Sequence, residues 1–146
     1  MSRKNPEADC CTRGLEDMMS ILTKVTVSEK VAALHESWSP RLLGALNGQQ
    51  VKLARFEGEF VWHAHEQEDE LFLVVQGRIA IHLREDGVER CVELDEGEFL
   101  IVPRGVEHKP EAAQPAYVLL FEPATTLNTG DFVDERTIRP DELQSM

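Results

Sequence analysis

Cysteine is scarce in this chain. Cys10, Cys11 and Cys91 are the only three among 146 residues. Adjacent cysteines seldom bridge each other and an odd count leaves one over, which argues against a disulfide framework and for a reducing compartment. Basic charge is short as well: 15 Lys and Arg stand against 27 Asp and Glu, a formal net charge of -12. Such a surface suits neither a nucleic-acid backbone nor an anionic membrane, so neither is expected as a partner. Long apolar runs are missing. Runs such as Leu71–Val75 and Phe99–Val102 are strand-sized, against the ~20 residues that cross a bilayer. Arg3 and Lys4 are not followed by the apolar stretch of a secretory signal, which makes the cytoplasm the expected location.

What remains is the composition of an ordinary globule, 42% hydrophobic and 29% charged, at a length that buries a core within one domain. Residues 1–19 are polar, charged and aperiodic, and are expected to form a disordered extension. Residues 20–146 are expected to be a single domain with its core at 41–123. A short helix is expected from Thr26. Thr26 and Glu29 have capping-box spacing, Val31, Leu34 and Trp38 share a face, and Pro40 ends the turn.

Beyond Pro40 the period changes from helix to strand. Asn47-Gly48 between two apolar runs is a hairpin signal. Strands are expected at 41–46, 50–56, 60–65, 70–75, 78–84, 89–94, 99–102, 106–111 and 116–122, separated by Gly- and Pro-bearing turns. Nine short strands with frequent turns predict an antiparallel sandwich or barrel. The polar tail after Pro123 holds Asn128-Thr129-Gly130-Asp131, read as a loop that returns over the barrel.

The chemistry-bearing residues cluster in this region. His63 and His65 are two apart, so on an extended chain both rings share a face. Glu70 follows after a short turn with the parity of Phe72 and Val74, while Glu66, Glu68 and Asp69 read as a solvated acidic turn. His108 lies well down the chain. Three imidazoles and one carboxylate suit one divalent first-row metal: Fe, Mn, Ni, Zn or Cu. The apolar neighbours Phe60, Val61, Phe72 and Val74 point to an enclosed site. His82 shares parity with Ala80 and Arg84, and sequence leaves open whether that face supports the ligands or meets solvent. Trp62, opposite in parity to His63, reads as outer-face packing or a subunit contact. No lysine, tyrosine or spare carboxylate is clearly aimed at the metal, and Tyr117 is the only tyrosine.

With ligands and strands placed, the stretch from Gly58 to His108 resembles the cupin superfamily. Its first motif matches Gly58, His63, His65, Glu70 and Gly77, with four residues rather than five after Gly58. Its second matches Gly97, Pro103, Gly105 and His108, with Ala112 where an Asn would stand. The resemblance implies an all-β, double-stranded β-helix or jelly-roll cupin barrel with a short N-terminal helix. It also implies that His63, His65, Glu70 and His108 are the metal ligands.

Tetrahedral zinc would be saturated by four protein donors, whereas six-coordinate iron, manganese or nickel keeps two positions open. The formal +1 charge left on the site favours an anionic, bidentate oxygen ligand. The expected function is a divalent-metal-dependent enzyme of dioxygenase, isomerase or decarboxylase type acting on a small oxygen-chelating metabolite. The alternative is a non-catalytic module holding a metal or a metal-chelated ligand. A metal-free epimerase-like cupin is a third and weaker reading, because the ligand set is complete. The apolar helix face and Leu42, Leu43 and Leu46 predict a homodimer.

Overall fold

The structure, a computed structural model, describes residues 22–146. The expectations for residues 1–19, including Cys10 and Cys11, lie outside the described residues. Among the described residues one short α-helix, α1 (Val27–Ala33), precedes eight strands: β1 (Arg41–Leu46), β2 (Gln49–Glu59), β3 (Glu70–Gln76), β4 (Ile79–Glu85), β5 (Val88–Leu94), β6 (Phe99–Val102), β7 (Glu107–Pro123) and β8 (Gln144–Ser145). Among the described residues no helix is long and apolar enough to cross a membrane.

β7 is the seam of the barrel. It runs antiparallel to β2 over nearly its full length, from Gln49↔Pro123 to Glu59↔Glu111. Its first half also pairs with β4 and its second half with β3, which in turn pairs with β6. The two expected strands at 106–111 and 116–122 are therefore one strand. A register shift between Phe56 and Gly58 on the facing β2 marks the bend between its halves. Asn47-Gly48 and Asp86-Gly87 both sit at positive φ, the pairing that matches a two-residue turn to strand twist. They join β1 to β2 and β4 to β5.

Alternation decides what lies inside. Phe72 and Val74 on β3, Ile79 and Ile81 on β4, and Ala116 and Val118 on β7 are buried. They form one apolar cluster, with Ala54 and Phe56 of β2. At roughly 1.5–3 kcal/mol per large apolar side chain buried, this cluster is the main source of stability.

Two further expectations are corrected, one open point is settled, and one element is new. The helix ends at Ala33, before Trp38, and Thr26 makes no side-chain capping bond, so the capping box does not form. Trp38 instead sits at φ 58 and stacks on Phe56 and Phe60. Residues 60–65 are extended but are not a strand: their ladder is a single bridge, His63↔His108. His82 faces outward, bonded to Glu111 at 2.7 Å, because the buried face of β4 is that of Ile79, Ile81 and Leu83. Finally, β8 lies parallel to β1, an element the tail's composition did not announce.

Candidate metal centre

His63 and His108 are brought together by backbone pairing. Each donates its N–H to the other's carbonyl, at 3.0 Å (His63 N–H) and 2.8 Å (His108 N–H), which places the ring centroids 4.3 Å apart. His65 follows two residues after His63 on the same face, at 5.1 Å centroid to centroid. Glu70 opens β3 and faces inward with Phe72 and Val74. One donor atom from each of the four lies within 4.8 Å of every other, and all four residues are buried.

The acidic turn between them is otherwise engaged. Asp69 accepts from the Arg104 backbone and guanidinium, Glu68 accepts from Thr125, and Glu66 is exposed. The tail closes over this loop, as expected for Asn128-Thr129-Gly130-Asp131. Ala64 N–H donates to Asp131 Oδ1 at 2.8 Å, and Asp131 N–H donates back to Ala64 O at 2.9 Å.

The donor atoms are presented ready to bind. His63 Nδ1 lies 2.8 Å from Val61 O, and His108 Nδ1 lies 2.9 Å from Val106 O. A carbonyl can only accept, so each Nδ1 carries the proton and each Nε2 keeps its lone pair. His65 Nε2, His108 Nε2 and Glu70 Oε2 are buried without a hydrogen-bond partner. Glu70 Oε2 lies 2.9 Å from His65 Nε2 and 3.4 Å from His108 Nε2, close enough for charge to act but not aligned as hydrogen bonds. Buried polar atoms without partners are costly, and a shared cation is what would satisfy these. Donors around one ion at about 2.0–2.2 Å span at most roughly 4.4 Å, so the cluster would close on an ion with shifts of a few tenths of an ångström. The residues fit a metal.

Electrostatics follow from the burial. Desolvation, with His108 close by, pushes His63 down to about 4. Burial also lowers His65, but the Glu70 carboxylate outweighs it and the net shift is upward. Glu70 is raised by burial, yet His108 and His65 together hold it well below the usual carboxylate range.

Two groups beside this cluster were not anticipated. Lys52 and Glu122 are buried inside the barrel and paired Nζ to Oε1 at 2.8 Å. Glu122 is driven well above the usual range by burial and by the neighbouring Glu70 carboxylate, with Lys52 pulling the other way. A spare carboxylate does therefore stand next to a candidate ligand. Its even-numbered register with His108, Val118 and Leu120 along β7 was the available signal. Trp62 lies on the outer face, with the Arg84 guanidinium 4.1 Å from its ring centroid and His82 edge-on.

A family model for the cupin domain matches residues 50–122. The chain belongs to the cupin family. This cupin is 37% identical to a cupin-2 domain containing protein of Shewanella frigidimarina NCIMB 400, with a TM-score of 0.64, covering 68% of this chain and 93% of that one. It is 28% identical over 92 residues to "Uncharacterized protein YdbB" of Bacillus subtilis (strain 168), 63% of this chain and 76% of the relative. It also superposes on hydroquinone 1,2-dioxygenase from Sphingomonas sp. TTNP3, solved with 4-hydroxybenzoate bound. There the identity is 23% and the TM-score 0.53, over 64% of this chain and 70% of that chain, a likeness of fold alone.

Proposed function

We propose that His63, His65, Glu70 and His108 hold one divalent transition ion and that the cupin is a metal-dependent enzyme acting on a small oxygen-chelating metabolite. The observation that carries this reading is the convergence of unpartnered, buried Nε2 and Oε2 atoms on one point. When bound, such an ion supplies Lewis acidity and, if redox-active, access to dioxygen chemistry. Around it, the Val61 and Val106 carbonyls fix the tautomers of His63 and His108. The tail pins the loop that carries His63 and His65, and the buried walls exclude water. Glu122, paired with Lys52 and pushed upward by burial and by the Glu70 carboxylate, is the spare carboxyl available for proton transfer beside Glu70.

The reaction type belongs to the same proposal: dioxygenase, isomerase or decarboxylase. The dioxygenase branch draws support from the shared fold of the hydroquinone 1,2-dioxygenases, one of them solved with Fe3+. The ion is iron, manganese, nickel, zinc or copper, and the ligand an anionic, bidentate oxygen donor. We further propose a homodimer in the cytoplasm. Light scattering on the eluted protein should then give twice 16.5 kDa, and a monomer mass would remove the dimer from the proposal.

Metal analysis of untagged protein, with a turnover screen of hydroxy acids, keto sugars and catechols in the presence and absence of dioxygen, tests the reading. Stoichiometric iron, manganese or nickel with turnover supports it. A saturated four-coordinate zinc without turnover points to a non-catalytic binding module instead.

A further inference from the structure

Two sides of the ligand cluster differ in what they offer an arriving ion. On one, His63 and Glu70 border a cavity of about 30 Å³ walled by aromatic rings. Trp38 stacks on Phe56 at 4.5 Å and on Phe60 at 4.7 Å, and Phe60 meets His63 edge-on at 5.5 Å. That space holds roughly one or two waters. Its aromatic walls carry no group that replaces the hydration shell of a cation, and an unpaired charge among apolar rings is costly.

On the other side, His65 lines a cleft of about 230 Å³ between the ligand loop and the tail. Glu66 and Glu68 stand on the loop wall, Thr125, Gly130 and Asp131 on the tail wall. Glu66 and Asp131 are exposed and Glu68 is half-buried, whereas His65 is 4% exposed, so its imidazole is the most deeply set group of the lining. No lysine or arginine lines this cleft, and the Arg104 guanidinium is held by both oxygens of Asp69. Three carboxylates therefore share one opening without a basic partner in the lining.

Acidity alone would not make an entry, since solvated carboxylates are common on a surface of this charge. This cleft ends on a buried imidazole whose Nε2 has no hydrogen-bond partner. Burial opposes positive charge at that ring, and Glu70, Glu68 and Asp131 each favour it. A cleft lined by charge of one sign focuses the field and raises the rate at which the opposite charge arrives.

We propose that this cleft is the port through which a divalent cation reaches the centre, with Glu66, Glu68 and Asp131 gathering it and His65 the first ligand it meets. This rests on the metal reading above. The test uses the full-length protein stripped of metal, Zn2+ as the probe and a fluorescent indicator of free zinc in stopped flow. Glu66→Gln combined with Glu68→Gln should slow second-order uptake at least about fivefold in about 10 mM salt. In about 0.5 M salt the difference should shrink to within about twofold. Glu29→Gln combined with Glu85→Gln removes the same charge from exposed positions outside the cleft, and should leave uptake within about twofold of the parent. An unchanged uptake rate in the cleft variant overturns the port with the metal reading intact, as does equal slowing in the control pair. Uptake accelerated by Trp38→Ala moves entry to the aromatic side and likewise overturns it. Protein that takes up no metal overturns both readings together.

Discussion

Lys52 and Glu122 meet inside the barrel across seventy residues of chain, Nζ donating to Oε1 at 2.8 Å. Neither reaches solvent, and Glu122 Oε2 has no partner of its own. Breaking a buried pair from one side leaves an uncompensated group, which costs about 3–5 kcal/mol, whereas replacing both members is often neutral. Lys52→Met should therefore lower urea stability by about that amount, and Lys52→Met with Glu122→Leu should recover most of it. A single-variant cost below about 1 kcal/mol would mean that Glu122 is already protonated and the pair carries little.

Removal of a candidate ligand should separate metal binding from folding. His63→Ala, His108→Ala and Glu70→Gln should each reduce metal affinity by more than the roughly 10–100-fold that follows loss of a supporting group. His82→Ala, whose ring lies outside the barrel on Glu111, should leave affinity unchanged. Competition with a chromogenic chelator measures all four. Equal losses at His82 and His63 would dissolve the case for a specific centre.

The grouping of His63, His65 and Glu70 was legible because its signals are local. Period two places His63 with His65 and Glu70 with Phe72, and the Asn47-Gly48 turn fixes its own hairpin. What escaped was non-local or ambiguous in sign. Parity shows that Ala80, His82 and Arg84 share a face but not that the face is outside, which the burial of Ile79 and Ile81 in the common core decides. A lysine in an alternating strand reads as solvent-facing, and only pairing with a residue of β7 reveals Lys52 as interior. Residues 60–65 look like a strand from their pattern, yet their backbone bonds are scattered: Phe60 to Pro110, His63 to His108, Ala64 to Asp131 of the tail and His65 to Gly105. The tail's role depends on Asp131 reaching Ala64, 67 residues away.

Acid should weaken the metal-free protein through His63. Its folded pKa, about 4, is depressed from 6.5, so between those values the unfolded chain binds the extra proton. The stability held above 6.5 is therefore lost as pH falls from 6.5 to 4. At 1.36 kcal/mol per unit the loss is on the order of 3 kcal/mol. Glu70, held below its usual range, adds loss in the same direction below 4.5. His65 has the opposite sign. Its raised pKa contributes stability below 6.5 that disappears as pH rises through the folded value. Urea midpoints from pH 4 to 8 should show the acid limb, and His63→Leu should flatten it between 6.5 and 4.

The same upward shift at His65 makes metal binding release a proton. A metal needs the imidazole neutral, so calorimetry in buffers of different ionisation enthalpy should find more protons released at pH 6 than at pH 8. Release that is independent of pH would show that His65 is not a ligand.

Gly130 links the tail to the ligand loop sterically. A Cβ placed there would lie 2.3 Å from Ala64 O and 3.1 Å from a ring carbon of His63, at φ +57. The backbone is what it meets, so the tail or the His63–His65 segment has to move. Gly130→Ala should cost about 1–3 kcal/mol and weaken metal binding by roughly tenfold as His63 shifts. Gly87 is the control: its φ is +76 and a Cβ there meets nothing within 4 Å. Gly87→Ala carries the conformational penalty without the collision, and should lower stability while sparing the metal. Parallel loss of metal affinity in both variants would trace the effect to general destabilisation, and the tail would then have no part in holding the ligands.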